Sequence, residues 1–218
     1  MRMGTFYRYE LLNRFGVFDN TKKSTKILDI GGFDGFILSK LKASNKVLID
    51  PNAKNEFSNI KYLRKDFFVH DFKKQKFNFI LSLDVLEHIS REKEAEYFSK
   101  IYSLLEKRGI AILTTPSKDI KIFPNFLRGW ISRKWGHYKC YGYSKEELEN
   151  LIKKAKIKKS QINTCNSRYY LNAYILIRLL QLILPNRLLE KILLKLANKD
   201  AKLNEKNSLG YYLIKIRK

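Results

Sequence analysis

The stretch KILDIGGFDGF at residues 26–36 decides the fold of this chain. Its first half is a short apolar run, which is typical of a parallel strand covered on both faces. Gly31, Gly32 and Gly35 follow, and glycines let the backbone turn tightly and approach a ligand closely. Residues 34–41 then predict a helix whose free N–H groups point at that ligand. The stretch therefore predicts a strand, a glycine turn and a helix that together hold a cofactor.

The acidic residue inside this stretch indicates the charge of the ligand. Asp29 stands two residues before the first glycine, where a carboxylate would repel a pyrophosphate and suits a cationic ligand better. The Gly-x-Gly-x-x-Gly spacing of NAD-binding folds is absent from this stretch. A strand-to-helix turn without any ligand is the alternative for the glycines taken alone.

Two motifs carry a resemblance to a known family. Residues 29–35, DIGGFDG, resemble the first motif of class I S-adenosylmethionine (SAM) dependent methyltransferases. Phe33 takes the place of the family's middle glycine, and we expect its benzyl group to point away from the cofactor. Residues 77–89, FNFILSLDVLEHI, resemble the fourth-strand signature of the methyltransferases that act on small molecules, including those of quinone and glycan pathways. The two motifs together are specific, and each alone is less so.

The resemblance implies an α/β fold with a Rossmann-like, seven-stranded, mostly parallel sheet, flanking helices and an antiparallel last strand. We expect one domain over residues 1–218, which begins with an N-terminal helix within residues 1–20 and has a helical insertion at 166–207 before the last strand. Between the fourth and fifth strands we expect a helix that Ser90 caps and Gly109 ends. The apolar patterns predict strands at 26–30, 46–50, 59–63, 77–84, 109–116, 158–164 and 209–216.

The resemblance also implies which residues hold SAM. Asp50 ends the second strand, where an acid takes both ribose hydroxyls in charge-assisted hydrogen bonds, although an ordinary turn acid is the alternative. Asp66 matches by position an acid near the adenine amine, and the residues that end the fourth strand would line the methionine part. The cofactor-binding candidates are Asp29, Gly31, Gly32, Gly35, Asp50, Asp66, Ser82, Leu83 and Asp84.

Residues 117–143 alternate aromatic and basic side chains and follow the fifth strand, where the family carries acceptor-binding residues. His137 matches by approximate position a histidine that many relatives carry, which makes it the candidate for an acceptor contact or a general base. A structural loop histidine is the alternative. Glu87 and His88 are adjacent and point in different directions, so we expect a structural histidine at that turn and no metal site.

The formal net charge of +23 over 218 residues allows three interpretations. An AT-rich coding sequence, an anionic membrane and a nucleic acid each explain it. The Asp/Asn-Pro-Pro-Tyr/Phe turn of enzymes that methylate nucleic-acid bases is absent after the fourth strand, which makes a nucleic acid the less favoured partner. Two cysteines and the charged residues among the first 20 positions predict a cytoplasmic protein without a disulfide framework.

Residues 171–199 form a basic, amphipathic helical hairpin in the sequence. Its first segment, 171–184, is strongly apolar, but Arg178 interrupts it and 14 residues cannot span a bilayer. Packing on the sheet, packing in a homodimer and peripheral contact with the inner face of an anionic membrane all stay open for this hairpin.

These motifs favour a SAM-dependent O-methyltransferase that acts on a sugar, a glycan or another small acceptor. One form of this hypothesis has the acceptor linked to a lipid. The reaction would be an in-line displacement in which the protein aligns the acceptor and excludes water. An RNA methyltransferase and a non-catalytic SAM- or nucleotide-binding module are the alternatives.

Overall fold

The computed structural model describes residues 3–120, 125–127, 129–130, 133, 136, 142–203 and 210–218. The strands are β1 (Lys26–Ile30), β2 (Asn45–Ile49), β3 (Lys61–Leu63), β4 (Phe77–Leu83), β5 (Leu105–Pro116), β6 (Lys159–Cys165) and β7 (Tyr211–Arg217). The α-helices of the described ranges are α1 (Met3–Arg14), α2 (Phe36–Lys40), α3 (Glu94–Leu104), α4 (Lys145–Lys154), α5 (Arg168–Asn172), α6 (Tyr174–Leu180) and α7 (Asn186–Ala201).

The strands form one seven-stranded sheet in the order β3-β2-β1-β4-β5-β7-β6. The pairs from β3 to β5 are parallel, and β7 runs antiparallel to both of its neighbours. The predicted α/β fold with an antiparallel last strand is therefore confirmed. Strand order reverses between β1 and β4, and in such sheets ligands bind outside the carboxyl ends of the strands at the reversal.

The central strands are apolar because helices cover both faces of the sheet. On one face Leu28 of β1 and Ile80 of β4 pack with Phe98 of α3. On the other face Ile27 of β1 packs with Leu38 of α2. Neighbouring residues of β1 thus enter opposite cores, and each fully buried aliphatic side chain contributes about 1.5–3 kcal/mol to stability. This rigid centre carries the loops at the strand ends.

The boundary between α3 and β5 differs from the prediction. Ser90 precedes a short 3₁₀ turn and makes no side-chain cap hydrogen bond, α3 ends at Leu104, and β5 begins at once. Gly109 therefore lies within the strand and does not end a helix. Arg108 has φ 67°, and its N–H donates to the Lys218 carbonyl at 2.8 Å. The register with β4 shifts here, and hydrogen bonds with Lys218 satisfy the backbone of Arg108 and Gly109. These tertiary contacts override the local helical pattern.

The bounds of α2 also differ from the prediction, whereas the start of α4 agrees with it. Helix α2 covers Phe36–Lys40 and is shorter than the predicted 34–41. At its start the Asp34 carboxylate accepts the Phe36 N–H at 3.0 Å, so that N–H already has a partner in the chain. At α4, Ser144 and Glu147 form the predicted capping box, with reciprocal hydrogen bonds of 3.1 and 2.7 Å.

The C-terminal helices pack on the N-terminal helix. Leu189 and Leu193 of α7 are buried in a cluster that includes Leu11 of α1. The Tyr7 hydroxyl donates to the fully buried Asp200 carboxylate at 2.7 Å, and that carboxylate also accepts the N–H groups that begin α5. The buried face of the helical hairpin is thus covered within the chain. Every helix in the described ranges is too short or too polar to cross a bilayer.

Candidate active site

A cavity of about 690 Å³ lies at the carboxyl ends of β1, β2, β3 and β4. This volume is typical of a site for a small ligand or cofactor. Two predicted site residues, Gly35 and Ser82, are not part of its wall. The other seven cofactor-binding candidates line it, and they are Asp29, Gly31, Gly32, Asp50, Asp66, Leu83 and Asp84. The fold therefore brings together residues from four separate segments of the sequence.

Each glycine of the loop has its own steric reason. A Cβ on Gly32 would collide with the Asp29 carboxylate, so the absence of a side chain there leaves room for that acid. Gly31 has φ +75°, and its Cβ would lie 2.5 Å from Val85 Cγ2. Gly35 has φ +77° and faces the Tyr62 hydroxyl, at 2.7 Å from the Cβ position. Gly35 thus serves the packing of the loop, which is why it does not line the cavity.

Asp29 is the most buried acid of this wall, with 3% of its surface exposed. Burial, together with the nearby carboxylates of Asp50 and Asp34, raises its pKa from 3.8 to about 8. A buried carboxyl among like charges takes up a proton at neutral pH unless a cation joins it. The site therefore fits a ligand that brings a positive charge to Asp29.

The acids after β2 and β3 stand beside apolar surface. Asp50 accepts the Asn52 N–H at 2.7 Å through Oδ1, and Asp66 accepts the Phe68 N–H at 2.6 Å through Oδ1. In each case Oδ2 takes no part in the turn. Phe67 and Phe68 line the same wall, so carboxylates and aromatic surface alternate there. This combination suits a nucleoside, whose ribose hydroxyls need acceptors and whose base needs an apolar contact.

Phe33 occupies the loop without closing the cavity. Its backbone has φ 50°, in the left-handed region, and the residue is part of the cavity wall. The ammonium group of Lys54 lies 5.4 Å from the centre of its ring. The Lys54 N–H also donates to the Phe33 carbonyl at 2.9 Å. The residue that replaces the middle glycine is therefore fixed by contacts with the loop after β2.

The end of β4 holds a strained acid. Asp84 has φ 54°, which is unusual for a residue with a side chain, and such strain persists only where neighbours fix it. The Thr114 hydroxyl donates to Asp84 Oδ1 at 2.6 Å, and Arg8 of α1 forms an ion pair with Oδ2. Ser82, two residues earlier, is buried and hydrogen-bonded to the Tyr97 hydroxyl at 2.7 Å. Ser82 therefore supports the cavity wall through Tyr97 and is not itself part of the wall.

A second cavity of about 340 Å³ adjoins the first. Arg8, Asp84 and His88 line both cavities. The sequence analysis did not find this chamber, because its wall comes from α1, α5, α6 and β7, which are distant in sequence. Its other polar and aromatic lining residues are Glu87, Tyr170, Tyr174, Arg178 and Tyr211.

Glu87 is the buried acid of this second cavity. Burial raises its pKa well above the ordinary value, and the Asp84 carboxylate raises it further. The Thr115 hydroxyl donates to Glu87 Oε2 at 3.2 Å. A carboxyl in this environment favours the protonated form, in which it can donate a hydrogen bond to a ligand.

The structure describes one of the two histidines that the sequence analysis discusses. His88, which we expect to be structural, is exposed, lines both cavities, and places Nδ1 3.2 Å from the Gly136 carbonyl oxygen. His137 lies outside the described residues. Among the described residues, no three His, Cys, Asp or Glu side chains come together as a metal site.

The fold and the first cavity define a Rossmann-like enzyme for a nucleoside cofactor. A family model described as a methyltransferase domain matches residues 3–158. The chain belongs to the class I SAM-dependent methyltransferase family. A comparison with curated protein sequences finds no match.

Solved structures share the fold at low sequence identity. Phosphoethanolamine N-methyltransferase 2 of Haemonchus contortus, crystallised with SAM, is 17% identical at a TM-score of 0.64, over 95% of this chain and 52% of that one. This chain thus spans about half of that protein. A SAM-dependent methyltransferase from Archaeoglobus fulgidus is 16% identical at 0.62, over 100% and 95%. The N-methyltransferase NodS of Bradyrhizobium japonicum, in complex with S-adenosylhomocysteine, is 16% identical at 0.55, over 96% and 85%.

Proposed function

We propose that this enzyme transfers the methyl group of SAM to a hydroxyl oxygen of a sugar or another small acceptor held in the second cavity. The observation that carries the proposal is the shared wall: Arg8, Asp84 and His88 line both cavities, so an acceptor in one lies beside a cofactor in the other. Catalysis of an in-line displacement depends above all on this alignment and on the exclusion of water.

The first cavity supplies the groups that hold SAM. Asp29 would bind the ammonium group of the methionine part, and Asp50 would bind the ribose hydroxyls. Asp66 would lie near the adenine amine, beside the aromatic surface of Phe67 and Phe68. When bound, SAM supplies an electrophilic methyl group on its sulfonium. Gly32 contributes by leaving room for the buried Asp29.

The lining of the second cavity favours a hydroxylated acceptor. Tyr170, Tyr174 and Tyr211 place aromatic and hydroxyl groups in this wall, which suit the apolar side and the polar edge of a sugar. Glu87, with its raised pKa, offers a carboxyl hydrogen-bond donor. Arg178 adds a cation at the rim, which suits an acceptor with a phosphate group.

A hydroxyl acceptor must lose its proton as the methyl group is transferred. His88 stands on the shared wall with one ring nitrogen at the Gly136 carbonyl, which directs the other nitrogen elsewhere. His137 is the candidate that rests on the sequence motif. Histidine is the side chain that most often serves as a general base. We further propose a cytoplasmic location, since two cysteines in 218 residues suit a reducing compartment.

The test is methyl transfer from isotope-labelled SAM to a panel of nucleotide sugars, free sugars, lipid-linked sugars, amines and RNA. We expect labelled O-methyl ethers, identified by the NMR shift of the methyl carbon. The change Tyr174→Ala should raise the acceptor KM about tenfold without altering the Kd for SAM. Its matched control is Tyr169→Ala, which changes an exposed neighbour that does not line the cavity.

Three results would contradict this proposal. Labelled amines alone would show N-methylation. Methylation of RNA, with salt-sensitive RNA binding, would favour the nucleic-acid alternative that the net charge of +23 supports. SAM binding without turnover of any acceptor in the panel would remove the proposed acceptor class.

A further inference from the structure

The turn between α6 and α7 presents a cluster of exposed aliphatic side chains, which we name the apolar tip. Large aliphatic side chains are rarely this exposed in neighbouring positions without a partner surface. The apolar tip consists of Leu176 (58% exposed), Leu179 (56%), Leu182 (83%), Ile183 (80%) and Leu188 (45%).

Helix α6 joins the apolar tip to the acceptor cavity. Tyr174, Ile177 and Arg178 of this helix line the second cavity, at the spacing that places residues on one helix face. Leu176 and Leu179 of the same short helix are exposed. Arg178 is exposed and also lines the cavity, so the cavity reaches the surface at α6. A surface that covers the apolar tip therefore lies next to the entrance of the cavity.

The segment that carries the apolar tip is basic. Residues 166–203 contain seven Lys or Arg and two Asp or Glu. One of these acids, Asp200, is fully buried and hydrogen-bonded to Tyr7. Arg187, Lys191 and Lys195 of α7 are exposed. Exposed aliphatic residues with basic neighbours are the combination that binds an anionic lipid surface, where the apolar groups enter and the cations meet the headgroups.

We infer that the apolar tip docks on an anionic membrane surface and turns the entrance of the acceptor cavity toward the headgroups, so that the acceptor is a hydroxyl compound carried on a lipid. The part about the acceptor rests on the proposed function, and the docking does not. A second copy fits this surface less well, because a two-fold contact would bring the basic residues of both copies together. RNA also fits this surface less well, because proteins bind RNA through aromatic stacking and phosphate contacts, and leucine side chains make neither.

Vesicle sedimentation tests the docking without any acceptor. The probes are vesicles of phosphatidylcholine alone and of phosphatidylcholine with phosphatidylglycerol. We expect the full chain to bind the anionic vesicles at least about tenfold more tightly than the neutral ones, with affinity that falls as salt rises. The double change Leu182→Ser with Ile183→Ser should weaken this binding about a hundredfold, because it removes the two most exposed side chains of the apolar tip.

The matched control is Val69→Ser, which removes an apolar side chain that is 84% exposed and lies in the loop after β3. It should leave vesicle binding unchanged, and both variants should keep the melting temperature of the wild type, since the side chains are exposed. Equal binding to neutral and anionic vesicles, or equal binding by the double variant and the wild type, would overturn the inference. A stable dimer that the double variant dissociates would also overturn it.

Activity separates this inference from the proposed function. On a water-soluble acceptor the double variant should equal the wild type, and on the same acceptor group embedded in anionic vesicles it should be at least about tenfold slower. If the wild type methylates no hydroxyl acceptor but binds vesicles through the apolar tip, the proposed function fails and the docking stands. If the double variant is equally active on the embedded acceptor, the apolar tip has no part in reaching a lipid-linked acceptor, and the inference about the acceptor fails.

Discussion

The two cavities of this enzyme are built in different ways. The first cavity takes most of its groups from loops that follow consecutive strands, and Gly32 makes room for an acid three residues away. The second cavity depends on contacts across the whole chain: Arg8 meets Asp84 76 residues later, and Tyr7 meets Asp200 193 residues later. The chain ends assemble the acceptor side separately. A cofactor site made of short sequence motifs can therefore be combined with many different acceptor sites.

The largest expected effect is a loss of SAM affinity, caused by a change in the first cavity alone. The change Gly32→Ala places a methyl group against the buried Asp29 carboxylate, and Leu48 Cδ1 lies 3.0 Å from the same position. Because neither neighbour has room to move, we expect the Kd for SAM to rise at least about a hundredfold in calorimetric titration.

The control on the acceptor side is Gly4→Ala in α1, whose new Cβ would lie 3.2 Å from the Tyr170 hydroxyl in the second cavity. Its Kd for SAM should stay within about twofold of the wild type. Equal losses of SAM affinity in both variants would show that the two cavities are not separable.

The second largest effect is expected on kcat/KM, from a change in the wall that the two cavities share. The change Arg8→Met leaves the strained Asp84 carboxylate without its ion pair. We expect a loss of about 2 kcal/mol in transition-state stabilisation, which is about thirtyfold in kcat/KM. The control Arg14→Met removes an ion pair with Glu10 on the same helix, away from both cavities. If kcat/KM is unchanged in Arg8→Met, this ion pair has no part in aligning the reactants.

A smaller effect follows from the titration of Asp29. Its pKa of about 8 in the SAM-free protein means that the carboxyl must lose a proton when a cationic group binds to it. The affinity for SAM should therefore rise about tenfold per pH unit between pH 6 and 7 and level off above about 8. Asp29→Asn should bind more weakly and lose this slope, and a wild-type slope in Asp29→Asn would assign the proton to another group.

The same shift of pKa has a consequence for stability, with a definite sign. The folded-state pKa of Asp29 lies above the ordinary value of 3.8, so the folded chain holds a proton that the unfolded chain has released. The contribution of Asp29 to the free energy of unfolding is therefore largest below about pH 4 and is lost as the pH rises to about 8. In denaturant titrations at pH 5 and pH 8, Asp29→Asn should gain stability relative to the wild type at the higher pH.

The smallest effect concerns the contact that joins the chain ends. Tyr7→Phe removes the hydroxyl that donates to the buried Asp200 carboxylate, which costs about 1–2 kcal/mol. For a chain of this length we expect the melting temperature to fall by about 3–6 °C, with an unchanged Kd for SAM. The control Tyr9→Phe changes a ring on the same helix that stacks on Phe18, and it should shift the melting temperature by less.

The cofactor side was predictable because its physics is local. An acid, a glycine turn and a second acid at the end of the next strand occupy fixed places once the sheet is parallel, and Asp29 and Asp50 indeed share one cavity. The prediction erred where tertiary contacts decide the outcome. Lys107 and Arg108 suggest the end of a helix, but they lie within β5, between the pairings of Leu105 and Ile110 with β4, where the Arg108 N–H bonds to Lys218.

The acceptor side was not predictable, because contacts between distant parts of the chain build it. Arg8 lies in a helix whose sequence gives no sign of a partner at Asp84, and Asp200 is one acid in a basic helix until its burial against Tyr7 is seen. A charged residue among the apolar positions of an N-terminal helix is the signal that could have indicated Arg8. His137 stays a prediction.

The most direct test of the central claim, that the first cavity holds SAM through the acids at the strand ends, is calorimetric titration with SAM of the wild type and of Asp50→Ala. Asp71→Ala is the control, since Asp71 forms a similar turn with the Lys73 N–H at 2.7 Å outside the cavity. We predict micromolar binding to the wild type and the control, and binding at least about tenfold weaker to Asp50→Ala. Equal SAM binding by all three proteins would contradict the account.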